Sequence, residues 1–128
     1  MNIDDKINFW ENGAKEDFKF AEKLFQDKNY LWCLFIIQLS LEKALKARVL
    51  EKTKKEPPYI HDLVRLSAIA KYHLDATQEK DLIIITEFNI EARYSDYKDG
   101  LRKKATQKYT KGFLKKGKEH LKWFLKKN

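Results

Sequence analysis

Only six residues in this 128-residue chain, four Gly and two Pro, break regular structure readily. A β-rich fold turns often and draws on such residues at each turn, so their scarcity favours long helices. Apolar spacing agrees. Ile3, Ile7, Trp10, Ala14, Ala21, Leu24 and Phe25 recur at steps of three and four between Lys and Glu, which draws one apolar stripe on a helix from about residue 3 to residue 26. Asp17 falls on or beside that stripe and requires a partner or a wet interface. Asp27-Lys28-Asn29 ends the segment.

A second segment runs from about Tyr30 to Glu51. Its first half, Tyr30 to Ile37, is apolar on every side, as expected of a central helix packed on several neighbours or on a partner chain. Its second half is amphipathic, and Gln38, Glu42 and Lys46 form a polar ladder at four-residue spacing along one edge. The stretch from Lys52 to Tyr59 holds Pro57-Pro58 and reads as a loop. A short helix follows from about His61 to Lys71. Asp75 and Gln78 then make a capping signal for a helix reaching about Arg93, in which Leu82-Ile83-Ile84-Ile85 keeps helical spacing despite its β-branched content. Lys98 to Tyr109 reads as a polar, basic connection, and Thr110 as the cap of a last helix whose buried edge is Phe113, Gly117, Leu121, Phe124 and Leu125. The expected fold is all-α: one domain over residues 1–128, an antiparallel up-and-down bundle of four long helices plus one short helix.

Charge is uneven. The net charge is +8, yet residues 98–128 carry twelve cations against Asp99 and Glu119, so the preceding part of the chain is slightly acidic. Such a basic quarter attracts phosphate polymers through counterion release; a merely solvated Lys-rich helix face is the other reading. Cys33 stands alone in an apolar run, which excludes an intrachain disulfide and reads as a small packed hydrophobe in a reducing compartment. Met1 to Lys6 does not resemble a secretory leader, and the longest uncharged run, Asn29 to Leu41, is shorter than the about 20 apolar residues that span a bilayer. A soluble, cytoplasmic protein without a membrane partner is expected.

His61, His73 and His120 are scattered, so neither metal nor cofactor is expected, and no glycine-rich phosphate loop or nucleophile elbow occurs. Three polar clusters remain: Gln38, Glu42, Lys43 and Lys46; His61; and Arg93-Tyr94-Ser95-Asp96-Tyr97. Each has a structural alternative. Glu42 and Lys46 suit a helix-surface pair, His61 suits a backbone carbonyl after the Pro-Pro turn, and Arg93 suits Asp96 three residues on.

The order of these pieces resembles the small HEPN proteins of bacteria and archaea. The matching motifs are Trp10-x3-Ala14-x2-Asp17-x3-Ala21-x2-Leu24, Gln38-x3-Glu42-Lys43-Ala44-Leu45-Lys46-Ala47, a Pro-containing loop with His61-Asp62-Leu63-x2-Leu66, Ala92-Arg93-Tyr94-x-Asp96, and a basic helix ending in Trp123. The resemblance implies a helical homodimer, often a companion of a minimal nucleotidyltransferase in a toxin–antitoxin-like, stress or defence module. It places Arg93, Tyr94, Asp96, Lys43, Lys46 and His61 at a nucleotide- or RNA-phosphate-binding site. Many members of the family are metal-independent ribonucleases that carry an Arg followed four to six residues later by His. That pattern is absent here: Lys98, Asp99 and Gly100 stand where the His would fall after Arg93, and His73 lies eight residues beyond Arg65. Tyr94 and Tyr97 are poor bases, with an ordinary pKa of about 10. The expectation is therefore a binding protein. A metal-independent endonuclease using Arg93 and His61, or a purely structural interaction subunit joined through the apolar run after Tyr30, are the alternatives.

Overall fold

The computed structural model describes residues 1–127, with the side chains of residues 95–99 outside the description. The described chain is all-α, without strands, in six helices: α1 (Ile3–Gln26), α2 (Tyr30–Thr53), α3 (Leu63–Ile69), α4 (Ala76–Arg93), α5 (Ser95–Lys104) and α6 (Gln107–Leu125). No described helix is long and apolar enough to cross a membrane.

The first half follows the apolar periodicity. Asn2 caps α1 by accepting from the Asp5 amide, and Asp4 and Asp5 complement the helix dipole. The tight Asp27–Asn29 turn returns the chain as α2, antiparallel to α1. Ser40 donates to the Ala14 carbonyl at 2.7 Å, and Lys43 meets Asp17 at 2.8 Å. Helix α2 is the hub, touching α1, α3, α4, α5 and α6. That explains its all-round apolar start. Leu31, Cys33, Leu34 and Ile37 are buried within this chain, and Trp32, Phe35 and Ile36 pack partly buried against the same core. Burial pushes the Cys33 thiol up to about 12, as befits a packed hydrophobe.

Helices α4 and α6 also run antiparallel, joined by Phe88 against Phe113 at 5.1 Å between ring centroids. The capping box of Asp75 and Gln78 forms as the sequence predicts. Gly117 is explained by packing: a Cβ there would lie 2.8 Å from Ile37 Cγ2.

Four features differ from the sequence reading. The segment after residue 95 is not a plain connection, because α5 occupies Ser95–Lys104 and brings the helix total to six among the described residues. Leu101 enters the core, and Arg102, Lys103 and Lys104 suit the helix C-terminus. A single apolar residue among charges shows no periodicity, which hid this helix. The cap of α6 is Thr106, which accepts from the Tyr109 amide at 3.2 Å, while Thr110 is fully buried. The earlier start brings Tyr109 onto the same aromatic face as Phe113. Helix α3 begins at Leu63, capped by Asp62, so His61 precedes it. The ladder of Gln38, Glu42 and Lys46 is not a solvated edge, since all three are buried.

Candidate functional site

The buried ladder on α2 is the centre of a polar network. Gln38 Nε2 donates to Glu42 Oε1 at 3.0 Å and to the His61 carbonyl at 2.9 Å. Gln38 Oε1 accepts from Asn89 Nδ2 of α4 at 2.8 Å. Glu42 Oε2 takes Lys46 Nζ at 2.9 Å, and the same ammonium lies 5.4 Å from the centroid of the Trp10 ring. His61 Nδ1 stands 2.7 Å from Glu42 Oε1. Burial without such partners costs each polar group free energy, so this connectivity lets α2 carry them through the core.

The network is closed at one end and open at the other. The Glu42 side chain is 8% exposed, whereas that of His61 is 50% exposed. A carboxylate oxygen accepts, so Nδ1 is the donating nitrogen of the ring and Nε2 is left for another partner. His61 is fixed in place by chain geometry as well. Its carbonyl is tied to Gln38, and two residues on, the Leu63 amide donates to Thr86 Oγ1 of α4 at 3.0 Å. Its partner is thus a carboxylate, not the backbone carbonyl anticipated after the Pro-Pro turn.

Arg93 closes the exposed end of α4. Its Nε donates to the Asn89 carbonyl one turn back at 2.9 Å, and its guanidinium sits 5.5 Å from the Tyr94 ring centroid. No ion pair engages Arg93 among the described residues. Asp96, its anticipated partner, lies outside the described side chains. Asn89 therefore links the two candidates: its side chain reaches the Gln38–Glu42–His61 network and its carbonyl holds Arg93. Lys43 and Lys46 are occupied internally, by Asp17 and Glu42.

Beside Arg93, the outward face of α4 leaves Ile83, Ile90 and Tyr94 between 44% and 54% exposed. Their spacing places them on one strip of the helix.

Asn89 was missed by sequence reasoning. The available signal was a polar residue next to Phe88 on an otherwise apolar stripe. A second buried cluster also escaped it. His120 Nε2 lies 3.2 Å from Asp81 Oδ2 across α4 and α6, with Lys116 Nζ 3.5 Å from the other carboxylate oxygen. Asp81 and His120 border a cleft of about 260 Å³ that also includes Gln78, Glu119 and Trp123.

The HEPN domain family model matches residues 7–128 of this chain. The backbone is similar to the crystal structure of TT1696 from Thermus thermophilus, with a TM-score of 0.79 and 18% identity over 97% of each chain. At that identity the likeness concerns the fold. No curated protein matches the chain in sequence.

Proposed function

This chain belongs to the HEPN domain family, and from that premise we propose that it acts as a homodimer that binds a nucleotide or RNA phosphate beside Arg93 and His61. It does so alone or together with a minimal nucleotidyltransferase, within a toxin–antitoxin-like, stress or defence module. The observation that carries this reading is the half-exposed His61 ring held at 2.7 Å by the buried Glu42 carboxylate. A ring needed only for packing has no use for a fixed orientation and a free outer nitrogen. Arg93, tied to the same network through Asn89, supplies a permanent cation whose guanidinium no ion pair occupies among the described residues, and it suits a bidentate phosphate contact. Lys43 and Lys46 already have counter-charges, so they position Asp17 and Glu42 and raise the local potential, and direct contact falls to Arg93 and His61. Tyr94 steadies the guanidinium. The exposed strip of Ile83, Ile90 and Tyr94 suits a second copy, which would bring two Arg93 side chains to one cleft.

Calorimetry with ATP, other nucleotides and a short RNA tests the proposal on the wild type and on His61→Gln. Binding by the wild type, weakened in the variant, is the expected result. Absence of binding at millimolar ligand removes the nucleotide form of the reading. A strict monomer by size-exclusion mass at micromolar concentration removes the dimer.

The same dyad supports a second reading, metal-independent RNA cleavage. His61 Nε2 would take the proton of a 2′-hydroxyl as that oxygen bonds to phosphorus, the 5′-oxygen leaving with a proton from water while Arg93 neutralises the phosphate. RNA incubated in chelator with wild type, Arg93→Ala and His61→Gln decides it. Equal cleavage by all three marks a contaminant and eliminates this chemistry.

A further inference from the structure

Two glycines sit on α6, and packing accounts for only one. A Cβ at Gly117 would strike Ile37, whereas a Cβ at Gly112 would meet nothing within 4 Å. An exposed Gly inside a helix is destabilising relative to Ala, so Gly112 weakens α6 without any gain in core fit.

What Gly112 does provide is a notch. Thr106, Lys108, Tyr109, Gly112, Phe113 and Lys116 surround a cleft of about 460 Å³, within the range of roughly 300–1,000 Å³ typical of small-ligand sites. Lys108, Gly112 and Lys116 follow one another at successive four-residue steps, so the glycine interrupts a row that would otherwise be filled by side chains. One wall is aromatic and backed from behind. The partly buried Tyr109 ring packs 4.9 Å from Phe113 and 6.3 Å from Phe88, centroid to centroid. Lys116 Nζ sits 4.9 Å from the Phe113 centroid at the rim. On the other side of Gly112, by helical phase, lie Lys108, Lys111 and Lys115, all exposed and without an ion pair among the described residues. Glu119 is the one carboxylate on α6.

We infer that this face of α6 is a binding site for single-stranded nucleic acid, with one base entering the Gly112 notch against Tyr109 and the adjoining phosphates following Lys108, Lys111 and Lys115. A rigid aromatic wall with neighbouring cations is the arrangement that grips single strands without reading sequence, because every base offers a π face. A duplex keeps its bases stacked and presents none to the notch. This site uses none of the residues of the Arg93–His61 site.

The test is fluorescence anisotropy on the full-length wild type with labelled single-stranded RNA and DNA of about 12 nucleotides, a duplex of equal length, and inorganic polyphosphate of matched charge. Single strands of either sugar are expected to bind at least tenfold more tightly than the duplex or polyphosphate. The logarithm of affinity should fall against the logarithm of salt with a slope of about −2, as three phosphate contacts on a single strand imply. Gly112→Leu, which fills the notch with a good helix former, should lose tenfold or more in affinity without lowering Tm. Lys111→Gln should lose less and flatten the salt slope. Equal affinity for polyphosphate and single strands, or unchanged affinity in Gly112→Leu, would each overturn the assignment.

Discussion

Six residues along α2 separate two buried ion clusters that differ in one respect: the kind of group each carries to the surface. Arg48 is held by Glu11 of α1, with Glu51 at 3.7 Å on its other side, and its side chain is 1% exposed. Glu42 is as buried as Glu11 and neutralised by Lys46, but its second oxygen holds a ring that faces solvent. Both clusters bear the desolvation cost of charge in a core. The Arg48 cluster spends it on joining α1 to α2. The Glu42 cluster also orients a proton-carrying group at the surface, and that distinction separates a structural ion pair from a candidate site on the same helix.

The distinction predicts different responses to mutation. The largest effect belongs to the closed cluster. Arg48→Met leaves the Glu11 carboxylate in a nearly dry interior, and Lys127 at 3.6 Å is too exposed to compensate fully. Urea denaturation should show a loss of about 3–5 kcal/mol, most of it recovered in the double variant Glu11→Leu/Arg48→Met, because the penalty lies in the unpaired charge. The recovery has further support in Arg48 Nε and Nη1, which are buried without hydrogen-bond partners among the described residues, so the pair itself is imperfectly satisfied. A single variant costing less than about 1 kcal/mol would show that the cluster is not sealed.

Glu42→Gln should come next, at about 3 kcal/mol, since it strands the Lys46 ammonium beside Trp10. It should also weaken phosphate binding, because His61 exchanges a charged acceptor for a neutral amide oxygen. His61→Gln inverts this pattern. The half-exposed ring contributes little to folding, so stability should stay within about 0.5 kcal/mol of the parent, while ligand affinity falls about tenfold, the equivalent of one charge-assisted hydrogen bond. If His61→Gln unfolds the protein as readily as Glu42→Gln, the open cluster is structural after all.

How much of this was legible in the sequence depends on the kind of signal. Helices α1, α2, α4 and α6 announce themselves because a stripe repeated over five or more turns survives local noise, and Asp75 with Gln78 fixes a boundary by capping chemistry. Helix α5 buries Leu101 but offers no sustained stripe, so it was invisible. The site was half legible. Gln38, Glu42, Lys46, His61 and Arg93 stand out as polar residues at motif spacing. Their burial does not, because a ladder at four-residue spacing looks the same on a wet edge as in a core. Only the arrival of Asn89 from α4, 51 positions away, turns Gln38 inward, and no local pattern encodes that contact.

A third carboxylate completes the contrast, since no salt bridge holds it among the described residues. Burial pushes Glu91 on α4 above the usual carboxylate value of 4.5; the neighbouring Glu87 pushes the same way, through its charge and a hydrogen bond, and Lys104 opposes them only in part. A raised folded-state value means that folding favours the protonated acid. The stability contributed by that proton is complete below the unfolded value and is lost as pH rises through the folded one. Glu91→Gln is neutral at every pH, so the variant should melt above the parent at pH 7, and the two should converge once the pH falls below 4.5. The effect should be the smallest of the series, because this helix face keeps access to water. Melting curves at pH 7 and pH 4 check it. An equal gain at both would place the origin in packing or helix propensity, and Glu91 would then be no counterexample to the paired carboxylates of α1 and α2.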